Sequence, residues 1–228
     1  MVYDFHTHTC LSDGVLLPME LIRRAIVRGY TSLGITDHGS ASTLERVIPE
    51  VARDCQLARQ HWGFPAYPGI ELTHVPPGSV ADLARRAREA GATYVVVHGE
   101  SPVEPVAPGT NEAAAKCGDV DILAHPGLLT VEAAAAAAAH GVYIEVTARK
   151  GHSLSNGHVV ATVRETQAKM VLDSDAHSPE DLLTEDFART VAAGAGLTSG
   201  EATLVLRTYP EELLQRMERA YQERWGGS

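Results

Sequence analysis

Seven short apolar runs, at residues 2–5, 32–36, 66–72, 93–97, 121–124, 142–146 and 170–172, narrow the choice of fold more than any other feature of this chain. They are short, β-branched and mostly apolar on both faces, the pattern of strands covered from both sides. Stretches with helical spacing lie between them, at 18–28, 44–61, 79–90, 112–117, 131–140 and 158–167. Two more follow, around 179–194 and 210–225. Gly29, Gly91 and Gly141 stand where helix C-caps are needed. Pro49 falls near the first turns of its helix or at a break in it. The seven alanines before His140 read as a tightly packed helix. Such alternation of strand and helix implies a parallel sheet, either open and doubly wound or closed as a barrel. No linker rich in Gly, Pro or Ser divides the 228 residues. The longest irregular stretch is 99–111, and loops of that size are often functional. The tail, 225–228, is expected to fray.

Each expected strand delivers ionisable residues at its C-terminal end. The first runs into His6 and His8, the second into Asp37 and His38, and the third into Glu71 with His74 just after. The fourth ends at His98 and the fifth at His125. The sixth contains Glu145 and leads to Arg149 and Lys150, and the seventh leads to Asp173, Asp175 and His177. In parallel α/β folds that end of the sheet forms the active-site face. Residues two apart on a strand point the same way, so His6 and His8 aim two imidazoles at one point. A set of His, Glu and Asp without Cys suits Zn²⁺, Mn²⁺ or Fe²⁺. There are too many ligands for one ion, and Glu71, with two oxygens, is a natural bridge. Multinuclear sites of this kind usually drive hydrolytic displacement at phosphorus or carbon.

The motifs HTHT at 6–9, SDG at 12–14, TDHG at 36–39, GIE at 69–71, VHGE at 97–100, AHPG at 124–127 and SDAH at 174–177 resemble the PHP (polymerase and histidinol phosphatase) family. The match runs in order from residue 1 to about 180. It implies one domain over 1–228, with a core of about 1–180 and C-terminal helices at about 180–225. It implies a distorted (β/α)7 barrel with a trinuclear metal site at the C-terminal end of the strands. Carried over, His6, His8, Glu71 and Asp175 hold one metal. Glu71, His98 and His125 hold a second, bridged by Glu71. His38 and His177 hold a third with Asp13, whose plain alternative is a turn residue. The expected cofactors are two or three divalent ions, Zn, Mn or Fe.

The implied reaction is hydrolysis of a phosphate monoester, with L-histidinol phosphate the family's best-known small substrate. Glu71, Asp175, His177 and Arg149 carry the catalytic roles in this reading. Arg149, Lys150, His152, Asn156 and His158 are the expected substrate contacts, with Arg149 favoured because a guanidinium fork suits phosphate. Glu145 belongs to an outer layer or pairs with Arg149, and Asp37 orients His38 or shapes a turn. Hydrolysis of a C–N bond and a non-catalytic accessory module are the competing functions. The net charge of −10 argues against a nucleic-acid partner, since phosphate backbones demand basic faces. Three scattered cysteines, no leader-like start and no apolar run near the ~20 residues a membrane helix needs point to a cytoplasmic protein without membrane contact. Oligomeric state is left open.

Overall fold

Strand pairing in this computed structural model, which describes residues 1–226, is parallel throughout. The strands are β1 (Val2–Asp4), β2 (Tyr30–Ile35), β3 (His38–Gly39), β4 (Ala66–Leu72), β5 (Tyr94–His98), β6 (Ile122–Ala124), β7 (Tyr143–Thr147) and β8 (Met170–Asp173). They lie in the order β1-β2-β4-β5-β6-β7-β8. β3 keeps the register of β2 against β4: Ile35 faces Pro68, and His38 faces Glu71. The two are one stave with a two-residue interruption. The helices between them are α1 (Pro18–Val27), α2 (Leu44–Trp62), α3 (Val80–Ala90), α4 (Thr110–Ala115), α5 (Val131–His140) and α6 (Asn156–Arg164). After β8 come α7 (Glu185–Gly194), α8 (Ser199–Thr203) and α9 (Tyr209–Trp225). No helix among the described residues is long and apolar enough to cross a membrane.

The sheet curls into a nearly closed barrel, and the side-chain alternation along each strand shows its two faces. Val95, Val97, Leu123, Ile144, Val146 and Leu172 pack outward with α1–α7 in one core. Phe5, Tyr67, Tyr94, Val96, Ile122, Tyr143 and Val171 pack inward in a second. Tyr94 lies across the interior and donates to Phe5 O at 2.8 Å. A Cβ on Gly34 would stand 2.0 Å from its hydroxyl, and one on Gly69 would stand 2.6 Å from its ring. Leu213, Met217 and Tyr221 of α9 complete the inner cluster. Arg216 donates to Gly141 O and Trp225 to Gly91 O, just before β7 and β5 begin. Hence α9 seals the N-terminal end of the barrel. Trp225 is thereby anchored, against the expected fraying; residues 227 and 228 lie outside the described residues.

Helix boundaries depart from the sequence reading, most at α7, which begins at Glu185 and not near 179. α4 and α6 each begin two residues earlier than expected, and Pro49 sits inside an unbroken α2. The short helix α8 and the π-helical turn Leu204–Thr208 after it were not anticipated. A signal was present: Thr198 and Glu201 form a capping box.

Closure between β1 and β8 uses side chains in place of a ladder. Asp173 accepts from Phe5 N at 2.7 Å, and Asp4 accepts from Ser174 N at 3.0 Å and from Tyr30 at 3.1 Å. Beyond them His8 N donates to Ala176 O at 2.8 Å. Burial pushes the Asp4 pKa up to about 6, and burial with Asp4 and Glu145 nearby pushes Asp173 well above the carboxylate range. Asp173→Ala strands the buried Phe5 N–H, so it is expected to destabilise the protein by about 1–3 kcal/mol. Asp173→Asn, which keeps an acceptor in place, is expected to retain most of that stability. Thermal unfolding of the two variants checks this.

Candidate metal centre

All of the sequence-predicted metal ligands but Asp13 stand on or within a few residues of strand C-terminal ends. His6 and His8 leave β1 on one side with ring centroids 5.0 Å apart, while Thr7 between them turns to β2 and donates to Gly34 O. His38 opens β3, Glu71 lies near the end of β4, and His98 ends β5. His125 follows β6, and Asp175 and His177 follow β8. Asp13 comes from the loop after β1. Asp37 holds that loop by accepting from Thr9 N, Thr9 Oγ1 and Ser12 Oγ, and it is this loop, not His38, that it orients. Among the described residues only His74, His125 and Asp175 combine a side chain with positive φ, at 52°, 27° and 52°. All three are here, and such conformations cost on the order of 1–3 kcal/mol each.

For His6, His98 and His177 the hydrogen bonds decide which ring nitrogen is free, whereas Nδ1 of His8 and of His125 has no hydrogen-bond partner. His177 Nδ1 lies 3.0 Å from Asp175 O and His98 Nδ1 lies 3.1 Å from Gly99 O. A backbone carbonyl only accepts, so both Nδ1 atoms carry the proton and both Nε2 atoms present a lone pair when the ring is neutral. His6 Nδ1 is likewise taken, by Glu145 at 3.0 Å; Glu145 also accepts from His125 N. His38 Nδ1 lies 2.6 Å from Glu71 Oε2. The free Nε2 atoms then meet carboxylate oxygens. His6 lies 3.3 Å from Glu71, and His38 and His177 lie 3.3 and 3.2 Å from Asp13. His8 lies 3.2 Å and His125 3.6 Å from Asp175. His6 Nε2, His8 Nε2, Glu71 Oε1 and Asp175 Oδ1 are buried without a hydrogen-bond partner. Buried imidazole nitrogens and carboxylate oxygens that face one another without hydrogen-bond partners form a donor set that fits divalent metal ions.

Three inner groups have ligand atoms within 4.8 Å of one another: His6, Glu71 and His125; His6, His8 and Asp175; and His8, Asp13, His38 and His177. A fourth is His74, His98 and Glu104. Sequence reasoning missed Glu104; its one signal was the length of the loop that carries it. The resemblance puts His98 with Glu71 and His125, whereas its Nε2 here lies 3.1 Å from Glu104.

Charges follow the geometry. Burial opposes a proton on His6, yet Glu145, Glu71 and Asp175 lift its pKa well above the ordinary value. Burial also opposes one on His38, but Glu71 and Asp13 raise it to about 10. Burial holds His125 well below the usual range and takes His8 down to about 4. Burial resists ionising Glu71 and Asp175, but the surrounding imidazoles, His6 foremost, hold both low.

A cavity of about 270 Å³ opens above this cage, lined among others by Asp13, His38, Glu104, Arg149, His152 and His177. Arg149 Nη1 lies 3.2 Å from Asp181, so its partner is Asp181 and that of Glu145 is His6. His152 Nδ1 lies 2.6 Å from Ser101 Oγ. Lys150 is exposed and outside the cavity lining. Asn156 spends its amide on both backbone groups of Thr147, and His158 Nε2 bonds Leu129 O. Neither lines the cavity.

Comparison with known proteins agrees with this frame. The PHP domain profile matches residues 4–225. An uncharacterized protein of Methanocaldococcus jannaschii is 43% identical over 218 residues, covering 95% of this chain and 100% of the relative. Ribonuclease P protein component 3 of Methanosarcina mazei is 28% identical over 230 residues, covering 94% and 89%. Histidinol phosphate phosphatase from Lactococcus lactis subsp. lactis, solved with zinc, L-histidinol and phosphate, superposes with a TM-score of 0.59 at 14% identity. That superposition covers 86% of this chain and 94% of the other and is a likeness of fold.

Two outcomes follow from the cage. Metal ligands must be deprotonated, and the neighbouring carboxylates favour the protonated forms of His6 and His38 while no metal is bound. Adding Zn²⁺ to metal-free protein at pH 7 is expected to release protons, read with an indicator dye in weak buffer. Glu145→Ala, which frees the His6 ring to turn, is expected to weaken zinc binding by about 10- to 100-fold in a competition titration.

Proposed function

Because the chain belongs to the PHP domain family, we propose that it is a cytoplasmic, metal-dependent phosphoesterase that hydrolyses a small phosphate monoester, with L-histidinol phosphate the first candidate. One observation carries the reading: buried imidazole nitrogens and carboxylate oxygens converge without hydrogen bonds beneath a cavity whose wall includes Arg149. With β2 and β3 counted as one stave, the frame reads as a distorted (β/α)7 barrel. The three inner groups would hold two or three divalent ions, Zn, Mn or Fe.

Bound there, such ions supply hydroxide from water near neutral pH and offset charge on phosphoryl oxygens. The rest falls to the chain's own groups. Glu71, with one oxygen toward His6 and the other toward His38, is the shared ligand. Glu145 fixes the His6 ring, and the backbone carbonyl of Asp175 fixes the His177 ring by accepting from its Nδ1. Asp181 steadies Arg149 by one nitrogen and leaves the remaining fork for a phosphate. Of the stretch 149–158 we keep Arg149 and His152 as substrate contacts, since both line the cavity.

The likeness to a ribonuclease P protein component over most of the chain favours a second reading, in which the phosphate ester belongs to RNA. The net charge of −10 counts against it.

Metal-reconstituted protein is expected to release phosphate from L-histidinol phosphate in preference to other phosphomonoesters. Asp175→Asn should lower kcat/KM by more than about 100-fold, beyond the cost of losing a mere supporting partner of a ligand. Cleavage of an RNA oligonucleotide alone would favour the second reading. Silence on every phosphate ester, with metals bound, would overturn both and direct the search to C–N bonds.

A further inference from the structure

The cavity above the cage carries one acid that the phosphoesterase reading leaves without a task. Of the three carboxylates in its lining, Asp13 and Asp175 belong to the candidate ligand set, and Glu104 does not. Arg149 is the cavity's one Lys or Arg among the described residues, and it pairs with Asp181. A carboxylate beside a phosphate site repels the substrate that the site must admit. Its place there has a use where the substrate brings a positive charge to meet it.

The fold holds Glu104 in this position. It sits in the loop between β5 and α4, whose two ends are pinned together. Glu100 Oε1 accepts from Gly109 N at 3.0 Å and from Asn111 N at 2.9 Å, and Asn111 Oδ1 accepts from Glu100 N at 2.9 Å. Pro102, Pro105 and Pro108 restrict the backbone between those ends. Imidazoles steady the carboxylate: His74 Nε2 lies 3.1 Å from its Oε2, and His152 Nε2 lies 3.3 Å from its Oε1. Ser101 Oγ, 2.6 Å from Nδ1, holds the His152 ring in turn. The Glu104 side chain is still 38% exposed, so a ligand in the cavity can reach it. A group held in advance loses little freedom on binding, which favours selective recognition.

We propose that Glu104 is a specificity-determining residue that pairs with a protonated amine of the substrate. The inference rests on the phosphoesterase reading and names its substrate class, phosphate monoesters of short amino alcohols. The cage and Arg149 meet the phosphate, and Glu104 meets the amine. His98, a candidate ligand of the cage, sets the spacing, because its Nε2 lies 3.1 Å from Glu104 Oε2. The amine must therefore stand only a short carbon chain from the ester oxygen. L-histidinol phosphate is one member of this class, and the inference asks only for its amine.

Metal-reconstituted wild type and Glu104→Gln are assayed for phosphate release from O-phosphoethanolamine and from n-propyl phosphate, which has a methyl group where the first has its ammonium. The readout is the ratio of kcat/KM for the two esters within each protein, so a general loss of activity in the variant cancels. Glu104→Ala serves where Glu104→Gln proves inactive. If both esters are inert, L-histidinol phosphate and its deamino analogue take their place. Wild type is expected to favour the amine ester by about 10- to 100-fold, chiefly through KM, the effect of one hydrogen bond to a charged group. The variant is expected to bring the ratio close to one. Hydrolysis by wild type without preference would overturn the inference and leave the phosphoesterase reading standing. A preference that survives in the variant would take the amine away from Glu104. If no phosphomonoester reacts with metals bound, the phosphoesterase reading falls and this inference falls with it.

Discussion

Two carboxylates shut away from water, Glu71 and Asp175, govern the arrangement at the top of this barrel. Ionised groups in such a place are costly unless donors or cations surround them. Thr73 donates to one oxygen of Glu71, and several of the ring protons nearby are committed elsewhere. His177 and His98 give their Nδ1 protons to backbone carbonyls, and His6 gives its own to Glu145. What remains around the carboxylates is a shell of imidazole nitrogens, several of them without a hydrogen-bond partner. The cage is therefore a negative mould for positive charge, and the outer contacts that fix each ring are part of that mould.

The barrel supplies the rigidity this requires. Parallel strands bring every ligand to one rim, and the left-handed turns at His125 and Asp175 aim two of them inward. The weakest part of the wall, between β1 and β8, carries His6 and His8 on one side and Asp175 and His177 on the other. It is closed by Asp4 and Asp173, whose carboxyl groups accept from backbone N–H groups across the gap. The same chemistry that would destabilise an open core here replaces missing ladder bonds.

Much of this was readable in the sequence, for identifiable reasons. Strand positions followed from apolar runs, and the candidate ligands other than Asp13 stood out as ionisable residues at the ends of those runs, their assignment to ions resting on the family resemblance. Choosing a barrel needed the family resemblance, because periodicity is the same in an open sheet. The inward and outward faces were hidden, since both are apolar until the last residue or two. Partner choice was also hidden. Nothing local says that Arg149 meets Asp181, that Asn156 caps Thr147, or that Asp37 holds the first loop. Glu104 shows the limit best: its contacts depend on a loop path that brings it to His74, His98 and His152.

The seal formed by α9 bears on how the protein is made. A chain emerging from the ribosome completes β1 to β8, and with them every ligand of the cage, before Leu213, Met217 and Tyr221 exist to fill the other end. During that interval Tyr67, Tyr94 and Tyr143 face an open tube. The nascent barrel thus carries its finished chemistry on an unfinished floor. A stop ahead of the last helix would leave that floor without Leu213, Met217 and Tyr221 while removing none of the candidate ligands.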